Sequence, residues 1–224
     1  MPLSLATPTN RQIRSIFVGV LAMLAMAIGT NQSQAAETEE IIVAGGCFWC
    51  VEKDFESVEG VVEAVSGYIG GRTENPTYRQ VTGGGTGHYE AVRIIYDPTQ
   101  IQPRELYDLF FRSIDPTDAG GQFCDRGESY RTAIFATGDN AAKAQAAKAA
   151  AQEELGRTIV TPILPDATFY VAEDYHQDYY KSSAIVLTRF GPITRAQAYK
   201  RYRKGCGRDA RVKALWGPDA PFVN

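Results

Sequence analysis

The sequence predicts an α+β fold, a ferredoxin-like two-layer α/β plait with an irregular C-terminal extension. Short apolar runs that end at glycines alternate with segments whose apolar residues recur every three or four positions. Their order is strand, helix, strand, strand, helix, strand, which is the split βαβ arrangement. Residues 157–224 show no comparable regularity and are assigned to the extension.

The first half of the plait is predicted from apolar periodicity and from glycine positions. A continuous apolar run before paired glycines indicates a buried strand, spacings of three and four indicate a helix, and alternation indicates a half-buried strand. The predicted elements are a strand over 40–44, a helix over 47–59, strands over 61–69 and 89–96, and a glycine-rich loop over 72–87.

The second half is predicted from helix boundaries. Pro103 opens a helix through Arg112, because proline at a first-turn position lacks an N–H that would be unpaired there. A polar loop over 115–129 leads to a strand over 130–136. Asp139 or Asn140 is expected to cap an alanine-rich helix, which Gly156 ends.

The N-terminal segment, residues 1–35, has the composition of a signal peptide. Arg11 and Arg14 precede an apolar run over 16–28, and small residues follow at 33–36. Basic, apolar and small-residue regions in that order are typical of secretory signals. The run is short for a hydrocarbon core of about 30 Å, although an uncleaved anchor is the alternative. We expect a periplasmic or secreted protein whose residues 36–224 form one catalytic domain with a mobile C-terminal tail.

Charge and composition exclude several classes of partner. The net charge of −3 is too small to imply binding to nucleic acid or to acidic lipid. The basic stretch over 195–213 is interpreted as a solvated face. A monomer is expected.

The predicted mature chain contains four cysteines, Cys47, Cys50, Cys124 and Cys206. In an oxidising compartment these residues could form two structural disulfides. A structural zinc site usually shows two close pairs of ligands, and only Cys47 and Cys50 are close, so no metal is expected. Cys47 follows a strand and two glycines and precedes a helix, where the unpaired N–H groups and the helix dipole lower a thiol pKa. Cys50 completes a C-x-x-C spacing typical of redox motifs.

Several motifs occur in order between residues 46 and 177, which is most of the mature chain. They are Gly46-Cys47-Phe48-Trp49 with Glu52, Gly67-Tyr68-x-Gly70-Gly71, Asn75-Pro76-Thr77-Tyr78, Gly87-His88-x-Glu90-Ala91-Val92, Asp125-x-Gly127-x-x-Tyr130-Arg131 and Ala172-Glu173-Asp174-x-His176-Gln177. Together they resemble the signature of the A-class peptide methionine sulfoxide reductases, whose fold is an elaborated α/β plait. The resemblance implies protein repair under oxidative stress, by reduction of methionine-S-sulfoxide in proteins and as the free amino acid.

The resemblance implies a role for each catalytic residue. Cys47 would be the thiolate that attacks the sulfoxide sulfur. Glu90 would donate a proton to the sulfoxide oxygen, because a carboxyl group in an apolar pocket keeps its proton near neutral pH. Tyr78 and Tyr130 would donate hydrogen bonds to the same oxygen.

Substrate binding is implied for three further residues. Phe48 and Trp49 would form the apolar pocket for the S-methyl group. Asp125 would hold backbone or water at the rim. His88 and His176 are interpreted as structural residues.

The resemblance also implies a recycling step, in which a second thiol converts the Cys47 sulfenic acid into a disulfide. Cys206 is the predicted resolving cysteine because flanking glycines suggest a mobile segment and neighbouring cations favour its thiolate. Cys50, where many family members have glycine, is its rival, and Cys124 is a third candidate. No bound cofactor is implied, because an external thioredoxin-like dithiol restores the enzyme.

An alternative function is that of a general thiol–disulfide oxidoreductase using Cys47 and Cys50. It would leave Tyr78, Glu90 and Tyr130 without a role.

Overall fold

The computed structural model describes residues 37–189 and 191–223. The predicted signal peptide lies outside these residues. The described residues form a mixed α/β fold with a central six-stranded mixed sheet and several helices. Within them, no helix is both long enough and apolar enough to cross a membrane.

The first part of the described chain folds into strands and helices that form most of the central sheet and its covering layer. They are β1 (Glu39–Gly45), α1 (Phe48–Phe55), β2 (Val61–Ile69), α2 (Tyr78–Gly83), β3 (Tyr89–Tyr96), α3 (Pro103–Arg112), β4 (Gly121–Gln122), β5 (Asp125–Arg126), β6 (Thr132–Phe135) and α4 (Gly138–Leu155). The predicted strands and helices are present in the predicted order, with α2, β4 and β5 in addition, and α3 has the predicted bounds. A Gln102–Glu105 capping box and Pro103 explain why α3 begins where it does.

The elements of the second half are β7 (Ile163–Leu164), β8 (Tyr170–Val171), β9 (Ile185–Thr188), β10 (Gly191–Thr194), α5 (Arg195–Gly205) and α6 (Arg208–Trp216). The expectation of an irregular extension is therefore wrong in part, since this segment contains two helices and four short strands. Strands of two to four residues are too short to produce a periodic signal in a sequence.

The central sheet has the strand order β7-β6-β1-β3-β2-β8. Strand β1 pairs with β3 and β6, and β3 pairs with β2, all antiparallel. The short strands β7 and β8 extend the two edges, β7 in parallel with β6. Side chains from α1, α3 and α4 share one hydrophobic core with the sheet.

Several predicted boundaries differ from the structure, among them the start of β6, which is Thr132 rather than residue 130. The first helix ends at Phe55, with Glu56 as its C-cap, rather than at residue 59. The predicted loop over 72–87 contains α2, which a capping box of Thr77 and Gln80 begins. The N-cap of α4 is Thr137 rather than Asp139 or Asn140, whereas Gly156 ends the helix in the left-handed conformation as predicted.

Candidate active site

A strand-to-helix turn places Cys47 at the centre of the site. Strand β1 ends at Gly45, and Cys47 is the N-cap of α1. Gly46 between them has φ +80°, and a Cβ there would lie 2.5 Å from the Gln122 Cβ. Only glycine fits this turn. The sequence thus fixes Cys47 at a helix N-terminus, where its side chain is almost fully buried.

Cys47 and Cys50 are free, buried thiols that hydrogen-bond to each other. Burial raises the pKa of Cys47 well above its usual value, and the charges of Cys50, Glu90 and Asp125 raise it further. The hydrogen bond from Cys47 lowers the pKa of Cys50. The prediction that the helix N-terminus lowers the pKa of the Cys47 thiol is therefore wrong. Desolvation outweighs the partial positive charge at the end of an eight-residue helix. The distribution of acidity within the pair therefore makes Cys50 the more acidic of the two thiols.

Buried charged groups on the Cys50 face of α1 support this distribution. Asp54 lies one turn after Cys50 and accepts a hydrogen bond of 2.8 Å from Arg203. Arg208 is buried and donates to the carbonyl oxygens of Gly45 and Ser113. The positive charges of Arg208 and Arg203 lower the pKa of Cys50.

Glu90 on β3 contacts the first residue of the helix that carries Cys47. The Phe48 N–H donates to Glu90 Oε2 at 3.1 Å. Burial raises the pKa of Glu90 to about 8. Glu90 Oε1 is buried and has no hydrogen-bond partner among the described residues. The carboxyl group therefore holds a proton at neutral pH and has one oxygen available for a ligand.

Tyr78 and Tyr130 reach the same centre from two different elements. Tyr78 is the first residue of α2, and Tyr130 ends a 3₁₀ turn over Glu128–Tyr130. Their hydroxyl groups hydrogen-bond to each other, and both interact electrostatically with Glu90 and Cys47. Burial raises the pKa of both phenols, so both remain hydrogen-bond donors at neutral pH.

An aromatic cluster surrounds the thiol on one side. Phe48 is buried and lies 6.1 Å from Trp49 and 6.2 Å from Tyr78 between ring centroids. The Trp49 indole N–H donates to His176 Nδ1 at 3.2 Å, and Tyr179 stacks on Trp49 at 3.9 Å. Phe48 and Trp49 thus form an aromatic cluster beside Cys47, and their role as a pocket for the methyl group stays a prediction.

His176 and Glu173 position this cluster, although the sequence reasoning gave neither a role in the site. Burial lowers the pKa of His176 to about 4, so the ring is neutral and accepts from Trp49 through Nδ1. Glu173 accepts hydrogen bonds from the Tyr78 N–H and the Tyr68 hydroxyl group. Both residues belong to the Ala172–Gln177 motif, and membership of that motif was the sequence feature that could have placed them in the site. His88 is structural as expected, since its ring bonds the Gly71 N–H and the Thr73 carbonyl oxygen.

Asp125 lies at the edge of the site. Its carboxylate accepts a hydrogen bond from the Tyr202 hydroxyl group of α5. Burial raises the pKa of Asp125, while Tyr202 and Arg208 oppose that effect. Asp125 therefore connects the centre around Cys47 with the C-terminal helices.

Cys206 is bonded to Cys124, and their Cα atoms are 4.9 Å apart. Cys206 is the C-cap of α5, and Gly207 begins the turn into α6. The segment predicted as a mobile tail thus forms two helices, although its mobility stays a prediction. The site groups Cys47, Cys50, Glu90, Tyr78 and Tyr130, whereas the predicted resolving thiol is held in a second pair.

Among residues 37–189 and 191–223, two groups of side chains have the donor types that hold metals, and neither is a convincing centre. Cys124, Asp125 and Cys206 lie together, but the disulfide occupies both sulfur atoms. The second group, Glu52, Glu56 and Asp178, is bridged by the Lys181 ammonium group.

The comparisons with known proteins agree with this geometry. Residues 39–205 match the family model described as peptide methionine sulfoxide reductase. A relative named peptide methionine sulfoxide reductase MsrA 2 from Caulobacter vibrioides is 46% identical and covers 92% of this chain and 100% of that protein. The protein of the same name from Rhizobium meliloti is 49% identical over 84% of this chain and 88% of its own length.

Two solved structures are similar to the chain. Methionine sulfoxide reductase A of Corynebacterium diphtheriae has a TM-score of 0.59 and 38% identity, covering 69% of this chain and 78% of that one. Reduced Mxr1 from Saccharomyces cerevisiae has a TM-score of 0.61 and 35% identity, and the match covers 64% of this chain and 84% of that one.

Proposed function

The chain belongs to the peptide methionine sulfoxide reductase family, and we propose that it reduces methionine-S-sulfoxide to methionine through Cys47. The observation that carries the mechanism is Glu90, a buried carboxyl group with a pKa raised to about 8 and an oxygen without a partner among the described residues. It is bonded to the residue that follows Cys47. A proton donor and a nucleophile thus face the same buried space.

In the first step, the Cys47 sulfur attacks the sulfoxide sulfur, and the Cys47 proton passes to the carboxylate that Glu90 becomes when it protonates the sulfoxide oxygen. Glu90 delivers its proton to the sulfoxide oxygen, which Tyr78 and Tyr130 stabilise through their hydroxyl groups. The S–O bond of the substrate and its transient bond to Cys47 break, the hydroxyl group is transferred to the Cys47 sulfur, and methionine leaves. The substrate sulfur gains two electrons, and Cys47 is oxidised to a sulfenic acid.

Phe48 and Trp49 bind the methyl group of the substrate in this proposal. Their rings lie beside Cys47, and aromatic faces and edges contact methyl groups and sulfur favourably. His176 fixes the indole of Trp49 through its hydrogen bond. Asp125 lies at the rim, where it holds water or substrate backbone.

The second step forms a disulfide, and the structure offers more support to Cys50 than to Cys206. Cys50 is free, hydrogen-bonded to Cys47 and subject to the positive charges of two buried arginines. Cys206 would first have to leave Cys124. When Cys50 attacks the sulfenic acid, the Cys47–Cys50 bond forms and the oxygen leaves as water, taking the thiol proton. The preference for Cys206 drawn from the sequence remains the rival hypothesis.

An external thioredoxin-like dithiol then reduces the disulfide, so no prosthetic cofactor is required in this scheme. Each turnover takes two electrons and two protons from that donor. Oxidised proteins and free methionine sulfoxide are the proposed substrates. A general thiol–disulfide oxidoreductase would need Cys47 and Cys50 alone, and the buried Glu90 with its two tyrosines favours the reductase.

The finer description of the fold is also a proposal. We assign β6-β1-β3-β2 to a ferredoxin-like plait, with β7 and β8 added at its edges. The strand order and the antiparallel pairing of these four strands support the assignment.

We further propose export to the periplasm or the exterior, followed by cleavage near Ala35. The basic, apolar and small-residue order of residues 1–36 supports it. N-terminal sequencing of the mature protein from a cell-envelope fraction tests this proposal. An intact Met1 in a membrane pellet would instead indicate an anchor.

The proposed activity is tested by giving the enzyme and a dithiol a racemic mixture of N-acetylmethionine sulfoxide. Chiral chromatography is expected to show loss of the S epimer with equimolar formation of N-acetylmethionine, because each epimer has its own enzyme class. Consumption of neither epimer, or of the R epimer alone, would contradict the proposal.

A further inference from the structure

A groove with a volume of about 400 Å³ lies beside Trp49. Its apolar lining comes from Trp49, Tyr179, Ile193, Ala198 and Tyr202. Cys47, Glu90, Tyr78 and Tyr130 do not line it, so the bond-breaking steps above do not take place there. Trp49 and the Cys124–Cys206 disulfide do line it.

The groove adjoins the proposed methionine pocket, because Trp49 and Tyr202 of its lining pack against the buried cluster that contains Cys47. Trp49 contributes to both, and it is held between His176, which accepts its N–H, and Tyr179, which stacks on it. A ligand in the groove therefore lies next to a methionine sulfoxide bound at Cys47. A concave apolar space of this volume is suited to a large aliphatic or aromatic side chain.

The rim of the groove carries positive charge in a protein whose net charge is −3. Arg189 and Arg201 line it, and the guanidinium group of Arg195 lies 5.8 Å from the ring centroid of Tyr179. These three residues come from the β9–β10 hairpin and α5, which approach the site from the C-terminal segment. The local charge favours acidic groups next to whatever occupies the apolar floor.

We propose that this groove binds a residue of the polypeptide substrate adjacent to the oxidised methionine, with preference for a large apolar side chain flanked by acidic residues. The inference rests on the proposed function and extends it to substrate class. The enzyme then acts on flexible or unfolded protein segments, because an apolar neighbour of methionine is normally buried in a folded protein. Free methionine sulfoxide uses only the pocket beside Cys47.

The test compares kcat/KM for three substrates: N-acetylmethionine sulfoxide, a peptide with leucine on both sides of the oxidised methionine and glutamate beyond, and the same peptide with serine in place of leucine. Ala198→Trp fills the groove, and Ala214→Trp on the exposed face of α6 is the matched control. Ala198→Trp is expected to reduce kcat/KM for the leucine peptide by about tenfold or more, and to leave the amino-acid substrate unchanged. Ala214→Trp changes neither.

Charge reversal tests the second part of the preference. Arg201→Glu is expected to lower kcat/KM for the glutamate-flanked peptide relative to a lysine-flanked one by about two- to fivefold. Lys204→Glu makes the same charge change on α5 at a position that does not line the groove, and should leave that ratio unaltered.

The outcomes separate this inference from the proposed function. A wild-type enzyme that reduces none of the substrates refutes the proposed function. If the enzyme is active and the ratio of kcat/KM for the leucine peptide to kcat/KM for N-acetylmethionine sulfoxide is the same in Ala198→Trp as in the wild type, only the groove assignment is overturned. A raised KM for the dithiol donor, with that ratio unchanged, would also overturn it and would assign the groove to the donor.

Discussion

The two cysteine pairs of this protein differ in burial, bonding and surroundings. Cys47 and Cys50 are free, 6% and 2% exposed, and share one helical turn. Cys124 and Cys206 are bonded across 82 residues of sequence, and Cys124 is exposed. The first pair faces Glu90 and two tyrosines, whereas the second joins the β4–β5 turn to the end of α5.

The difference indicates that the first pair has a chemical role and the second pair a structural role. A buried, hydrogen-bonded pair suits attack on a sulfoxide, because exclusion of water keeps Glu90 protonated and strengthens each electrostatic interaction. A disulfide that closes a long loop restricts the unfolded chain and stabilises the fold. We therefore expect substitutions in the first pair to affect chemistry and those in the second to affect stability.

Cys47→Ser is expected to give the largest effect, complete loss of methionine formation with retained folding. A hydroxyl group at this site is too weak a nucleophile for the sulfoxide sulfur. Single-turnover assays with chromatographic detection of methionine measure the effect. Cys124→Ser is the matched control and should keep its first turnover. Methionine formation by purified Cys47→Ser would refute the nucleophile assignment.

Cys50→Ser should retain the first turnover and lose steady-state cycling with a protein dithiol donor to below about a tenth of the wild-type rate, since the sulfenic acid then lacks its neighbouring thiol. Cys206→Ser is the comparison variant, and we expect it to keep steady-state turnover with the same donor. The opposite pattern, with normal cycling in Cys50→Ser and none in Cys206→Ser, would establish the rival assignment.

Glu90→Gln is expected to slow the single-turnover rate by about 10²–10⁴-fold, because the amide cannot deliver a proton. The pKa of Glu90 is raised to about 8, so the group is protonated below that pH and ionised above it. The wild-type rate should therefore fall as pH rises through about 8. Glu90→Asp keeps a carboxyl group and should retain more activity. A wild-type pH profile reproduced unchanged by Glu90→Gln would rule out the role.

Replacement of both Cys124 and Cys206 by serine should give the smallest catalytic effect. Loss of a bond across 82 residues is expected to lower the free energy of unfolding by about 4 kcal/mol. Urea denaturation measures this change, and reduction of the wild type provides an independent comparison. Normal unfolding stability combined with failed recycling would show that the second pair serves catalysis instead.

Local pattern in the sequence predicted much of the fold and most of the site. The turn at Gly46 and Cys47, the bounds of α3 and the order along the chain of the main strands and helices follow from short-range rules. The motifs also identified Glu90, Tyr78 and Tyr130, which the structure brings together. Helix α2 was missed because a capping box beside a glycine run gives little apolar periodicity.

Properties that depend on long-range packing could not be predicted in the same way. The pKa direction of Cys47 depends on its burial under α5 and beside Glu90, and no local pattern reports burial of a cap residue. The partner of Cys206 is 82 residues away. Flanking glycines suggested mobility there, although Gly207 in the structure makes a left-handed turn between two helices.

The resolving role of Cys50 is tested by a disulfide map. The fully reduced enzyme reacts with less than one equivalent of methionine-S-sulfoxide, and free thiols are then rapidly alkylated. Peptide mass spectrometry is predicted to find a new bond between Cys47 and Cys50, because the resolving thiol is the one already hydrogen-bonded to the nucleophile. Cys50→Ser should then accumulate a Cys47 sulfenic acid. A dominant Cys47–Cys206 bond in the wild type, formed equally fast in Cys50→Ser, would contradict the central claim.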